Sequence, residues 1–209
     1  MSEPYGFCLR LKVDDDALRS YLLSPVPSPL EWSDWSTIGG SWTSFSWAES
    51  GERMLQGLAD RLAGDTAAEV WVRFLDRSND CGTFRWDAGT RELIAFQLWF
   101  AENLEDFLAL ALVCRSLELF GSADRAGGMI VRDFCWSEPV PLGSTLAILF
   151  EGGRSRVACL ADDVDAMGVI ALEEEADRFA TARLRGGVSP VAGDAQSPAV
   201  AELRAFLGG

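Results

Sequence analysis

Any chemistry in this chain has to proceed without histidine, because none is present. That removes Ser-His-Asp and Cys-His nucleophilic arrangements, imidazole proton shuttles and zinc catalysis through imidazole ligands. Lys12 is the sole lysine and stands inside an alternating apolar segment. It is badly placed for a Schiff base, and neither a phosphate-binding G-x-x-x-x-G-K-[ST] loop nor a G-x-G-x-x-G turn after a strand occurs. No cofactor is expected and no catalytic residue is assigned.

Carboxylates are what remains. Asp162-Asp163-Val164-Asp165 has the oxygen-rich character that hard divalent cations prefer. Acids approaching a helix also complement its dipole, and that reading is preferred both here and for Asp14-Asp15-Asp16. Glu173-Glu174-Glu175 reads as a solvated helix face. Asp76-Arg77-Ser78-Asn79-Asp80 lacks the glycine and terminal glutamate of a calcium loop and reads as a polar connection. No metal site is expected. A pair of carboxylates brought together by the fold stays open, since spacing does not reveal it.

The five cysteines, Cys8, Cys81, Cys114, Cys135 and Cys159, are odd in number, widely spaced and set in apolar segments. They read as buried free thiols of a reducing compartment. Met1-Ser2-Glu3-Pro4 lacks the basic and apolar regions of a secretory signal, so a cytoplasmic location is expected. The most apolar stretch, Leu104 to Leu119, contains Glu105, Asp106, Arg115 and Glu118, too short and too charged to span a bilayer. Arginine supplies nearly all the basic residues, a usage that suits a GC-rich bacterial genome.

A net charge of −14 repels phosphate backbones and anionic lipid surfaces, so neither nucleic acid nor membrane is an expected partner. A basic protein would be attracted and steered instead. Residues 31–47 hold four of the eight tryptophans, among serines and threonines. Tryptophan concentrates at interface hot spots because it joins a large rigid area to a polar handle. Glu31, Trp32, Asp34, Trp35 and Trp42 are therefore the candidate partner-binding residues. The competing reading has Trp42, Phe45 and Trp47 filling the core, with Trp32 and Trp35 open to either role.

These residues must be positioned by elements that the apolar pattern suggests. Tyr5 to Val13 alternates as a half-buried strand, and Asp14-Asp15-Asp16 opens a short helix carrying Leu18, Tyr21 and Leu22. Pro25, Pro27 and Pro29 end it. A loop then leads to a short strand near Trp42 to Trp47. Ser50 to Ala63 is helical, with Gly64 as its stop. Val70 to Leu75 reads as a strand. Thr83 to Trp86 and Arg91 to Phe100 form a hairpin around Asp87-Ala88-Gly89.

Asn103 caps a helix that runs to Phe120 and is apolar nearly all round, as a buried central helix should be. Met129 to Trp136 is a strand. Thr145 to Phe150 and Arg156 to Ala161 form a second hairpin across Glu151-Gly152-Gly153. A last amphipathic helix spans Val169 to Leu184. Together these predict an α+β fold, mostly antiparallel sheet with hairpins packed against about four helices. Residues 1–185 form one domain, followed by a Gly/Ala/Pro-rich tail, 186–209, with a short ordered segment near Ala199 to Leu207.

The function this suggests is a non-enzymatic inhibitor or immunity-type protein that neutralises a basic partner, such as a toxin. The alternatives are a carbohydrate- or small-ligand-binding module using Trp32, Trp35 and Trp42 as a platform, and a carboxylate-dependent, magnesium-assisted hydrolase.

Overall fold

A row of apolar residues, each opposite the next, runs across six antiparallel strands: Phe84, Ala95, Leu9, Met129, Ile148 and Val157. The row belongs to the buried core. The computed structural model describes residues 5–40, 47–76, 82–101, 103–121, 127–132, 146–159, 178, 181 and 197–208. In it the strands are β1 (Tyr5–Lys12), β2 (Gly82–Asp87), β3 (Glu92–Ala101), β4 (Gly127–Arg132), β5 (Leu146–Glu151) and β6 (Arg154–Cys159). They lie in the order β2-β3-β1-β4-β5-β6, so β1 is central and β2 and β6 are the two edges. Both hairpins take their expected places. At the second, Gly152 and Gly153 both have positive φ (57° and 80°), as a tight two-residue hairpin turn requires.

Five helices are described: α1 (Asp15–Leu23), α2 (Trp47–Leu62), α3 (Ala67–Leu75), α4 (Leu104–Ser116) and α5 (Pro198–Gly208). The fold is the expected α+β class. Helix α4 is the buried central helix: Leu104 and every residue from Phe107 to Ser116 is buried. Asn103 caps it by accepting a hydrogen bond from the Asp106 amide at 2.9 Å. Helices α2 and α3 pack on α4, which in turn touches β3 and β5. A buried hydrogen-bond chain ties three helices together. The Trp71 indole donates to the Tyr21 hydroxyl at 2.7 Å, and that hydroxyl donates to the Val113 carbonyl at 2.8 Å.

Three expectations need correction. Val70 to Leu75 is not a strand but the body of α3. Thr66 and Glu69 form a reciprocal capping box at its start, and Val70, Trp71, Phe74 and Leu75 are buried at helical spacing. Trp47, expected at the end of a short strand, opens α2 instead, while residues 41–46 lie outside the described set. Strand β1 is buried on both faces along much of its length. Phe96, Cys8, Ile130, Ala147 and Ala158 form a second cross-strand row on the opposite face and all are buried. Only the end of β1 at Arg10 and Lys12 emerges on that side.

Of the helix expected over Val169 to Leu184, Arg178 and Thr181 are described, and both are helical. The short segment expected in the tail is α5, which places Ala199, Val200 and Leu203 in the core against β2 and α3. Cys8 and Cys114 are buried. The side chains of Cys81, Cys135 and Cys159, and the clusters at 162–165 and 173–175, lie outside the described residues. Among the described residues no helix is long and apolar enough to cross a membrane.

Candidate functional site

An arginine in the last turn of an apolar helix has to find counter-charge or water. Arg115 of α4 finds almost no water, being 1% exposed. Its position favours a cation, because a helix C-terminus is the negative end of the dipole. The rest of its environment comes from three directions. Its Nε donates to Ser155 Oγ at 3.1 Å and its Nη2 to the Ser155 carbonyl at 3.4 Å. Its Nη1 lies 2.6 Å from Asp34 Oδ1, a contact held by charge rather than by hydrogen-bond geometry. The guanidinium carbon stands 5.1 Å from the ring centre of Trp32 and 4.7 Å from that of Trp35. Cation–π attraction of this kind strengthens as water is excluded.

Three of the residues singled out from the sequence therefore come together around Arg115. Trp32 is 9% exposed and Trp35 1%, with their rings edge-on at 6.3 Å. Each indole N–H is engaged internally. Trp35 Nε1 donates to the Pro29 carbonyl at 2.7 Å, and Trp32 Nε1 donates to Glu118 Oε1 at 2.8 Å. With faces on a guanidinium and polar handles satisfied, neither ring offers an open anchor or a sugar platform. The physical reason is the buried cation, which draws both π-faces inward. Trp42 lies outside the described residues.

The carboxylates in the cluster close a sheet edge. Among the described residues strand β6 has no strand on its outer side, which leaves backbone groups to be satisfied. Asp34 Oδ2 accepts the Val157 amide at 2.9 Å, and Glu118 Oε2 accepts the Ser155 amide. Arg115 takes the Ser155 carbonyl. Side chains from the 3-10 turn Asp34–Gly40, from the 3-10 turn Leu117–Phe120 and from α4 thus do the work of a seventh strand. Sequence reasoning missed Arg115, Glu118 and Ser155. The available signal was an arginine in an otherwise apolar helix, which must be paired if it is buried.

What faces solvent beside this lock differs in character. Among the described residues Leu23, Leu30 and Leu119 are large hydrophobic residues that stand exposed, each more than half so. Their elements meet. Leu30 sits in the 3-10 turn Pro29–Glu31, joined to the turn at 117–120 through the Trp32–Glu118 hydrogen bond. Leu23 ends α1, which packs on that same turn, with Tyr21 edge-on to Phe120 at 5.9 Å. Glu31, also exposed, follows Leu30 directly. Ser28 accepts a hydrogen bond from the Leu30 amide at 3.3 Å and fixes this turn.

Acid groups elsewhere behave as structural acceptors. The Thr66 amide and hydroxyl hold Glu69 below the usual carboxyl range. The Thr90 and Gly89 amides do the same for Asp87, and Arg156 does so for Glu151. Among the described residues no group of three or more histidine, cysteine or acidic side chains is arranged to hold a metal ion. Comparison of the chain with protein-family models, with curated proteins and with solved structures finds no match.

Proposed function

We propose that this protein is a non-enzymatic acidic binding protein, of inhibitor or immunity type, that neutralises a basic protein partner in a bacterial cytoplasm. The observation that carries the reading is the outward face of the three elements meeting at residues 117–120. There Leu23, Leu30 and Leu119 stand exposed beside Glu31 on a chain with a net charge of −14. Exposed apolar residues with an acidic neighbour on a strongly acidic chain fit the anatomy of a protein interface, where desolvated residues hold and charges steer. The Arg115 lock has a place in this scheme. By fixing Trp32 and Trp35 it immobilises the turn that presents Leu30 and Glu31, so little ordering cost remains to be met on binding.

The test is capture of partners from a lysate of the native host by the unmodified chain and by Leu30→Ala, Leu119→Ala and Glu31→Lys, each with its melting curve. The expected result is a strongly basic protein held by the parent and lost from the leucine variants, at unchanged melting temperature. Glu31→Lys should mainly slow association, and the association rate should fall steeply with added salt, since exposed charges are screened beyond about 8–10 Å at physiological ionic strength. Captured proteins with no excess of basic residues, or capture indifferent to all three changes, would refute the proposal.

A further inference from the structure

Helix α2 contains two glycines in different surroundings. A Cβ on Gly51 would run into the Trp47 ring, so that glycine makes room for a neighbour inside the molecule. Among the described residues, a Cβ on Gly57 would meet nothing within 4 Å. Glycine within a helix is destabilising relative to alanine. Intramolecular packing gives no reason for it at 57. Gly57 instead lines a groove of about 310 Å³ between α2 and the start of α4, at the lower end of the volumes typical of small-molecule sites.

The walls of the groove define its chemistry. Leu58 and Leu108 are buried beneath it and Met54 is half-buried, giving an apolar floor. Arg53 and Arg61, one turn before and one turn after Gly57, stand on the same helix face. Arg61 is occupied: it donates to the Glu105 carbonyl at 3.0 Å and pairs with the Glu105 carboxylate at 3.4 Å, which neutralises the one acid on the rim. Arg53 is exposed and, among the described residues, has no carboxylate within ion-pair distance. Seven other arginines of this strongly acidic chain are paired (Arg10, Arg19, Arg61, Arg73, Arg91, Arg115 and Arg156).

We propose that this groove binds a small organic monocarboxylate, its carboxylate on Arg53 and its apolar body laid over Gly57 onto Met54, Leu58 and Leu108. An arginine fork pairs with a carboxylate through two parallel N–H donors. The glycine leaves open the space through which the apolar body reaches the floor. This site is separate from the face around Leu30 and does not depend on the partner proposed for it.

Octanoate is a suitable probe, with octanol as its neutral counterpart. Amide NMR shifts are followed on titration into the full chain and into Arg53→Gln and Gly57→Leu, alongside melting curves. The expected result is saturable shifts confined to α2 and the first turns of α4, with octanol at least tenfold weaker. Arg53→Gln should weaken octanoate at least tenfold. Gly57→Leu should abolish binding while melting at or above the parent temperature, because the change restores helix propensity as it fills the groove. Shifts that do not saturate, equal binding of octanol, or binding that survives Gly57→Leu would each overturn the proposal.

Discussion

The two edges of the sheet are closed by opposite means. At β6 the cover is ionic: Asp34 and Glu118 accept outer amides, and a buried arginine between two indoles links them. At β2 the cover is a helix. Residues Ala199, Val200 and Leu203 of α5 enter the core, Phe206 packs on Trp86 with ring centres 5.6 Å apart, and Arg19 lies 4.5 Å over the Phe206 ring. Among the described residues one carboxylate takes part, Glu202, which accepts the Phe84 amide at a long 3.4 Å. An apolar cover tolerates the loss of a polar contact. A charged cover fails when one member is removed, because the other is left buried and unpaired.

This contrast can be broken at several points. The largest effect is expected at the apolar edge, where Leu203→Ala should cost about 3 kcal/mol in urea unfolding, a typical cost for truncating a fully buried leucine. The loss should be nearly independent of salt. Next comes Asp34→Ala, expected to cost about 2 kcal/mol by stranding the Arg115 charge, less than for a fully buried pair because Asp34 is partly exposed. Adding Arg115→Met to that variant should recover part of the loss. If the double variant is no better than the single, the ion pair is not what closes β6.

Thr66→Ala probes the platform on which α5 rests and should cost about 1 kcal/mol through loss of the capping box. This loss should depend on pH. The Glu69 carboxyl lies below its ordinary 4.5 in the folded state, so its contribution is complete above that value and fades as pH falls through the lower folded one. Parent and variant should therefore converge in acid, which melting curves at a series of pH values would reveal. The smallest effect is expected for Glu202→Ala, about a few tenths of a kcal/mol, in line with a long hydrogen bond accepted by an exposed side chain. A cost near that of Asp34→Ala would erase the distinction between the edges.

The parts of the fold legible beforehand were those where one local pattern dominates. The strand at Tyr5 to Val13, the glycine turn at 152–153 and the apolar run of α4 were each legible in type, although alternation suggested one buried face for β1 where both are covered. Helix α3 was misread because Val70, Trp71, Val72 and Phe74 favour strands one by one, and the Thr66/Glu69 signature that outweighs them lies just upstream. At the site, proximity on the chain grouped Trp32, Asp34 and Trp35 as partner-binding residues, and the structure gathers them around Arg115. What orients them is Arg115, eighty residues on, and no local pattern encodes that meeting. The inward turn of the two indoles was decided by a side chain that reads, in sequence, as a mere interruption of an apolar helix.

Closure of the edges also bears on the order in which the chain can assemble. The Asp34–Val157 contact joins residues 123 apart, and the Phe84–Glu202 contact joins residues 118 apart. Both hairpins and α4 can form from near neighbours, whereas each of these closures has to wait for a long loop to come round. A ribosome-borne chain consequently exposes β2 until α5, more than a hundred residues further on, has emerged from the exit tunnel. In that interval the strand has a bare margin on which another nascent copy could add itself, the hazard that edge strands carry.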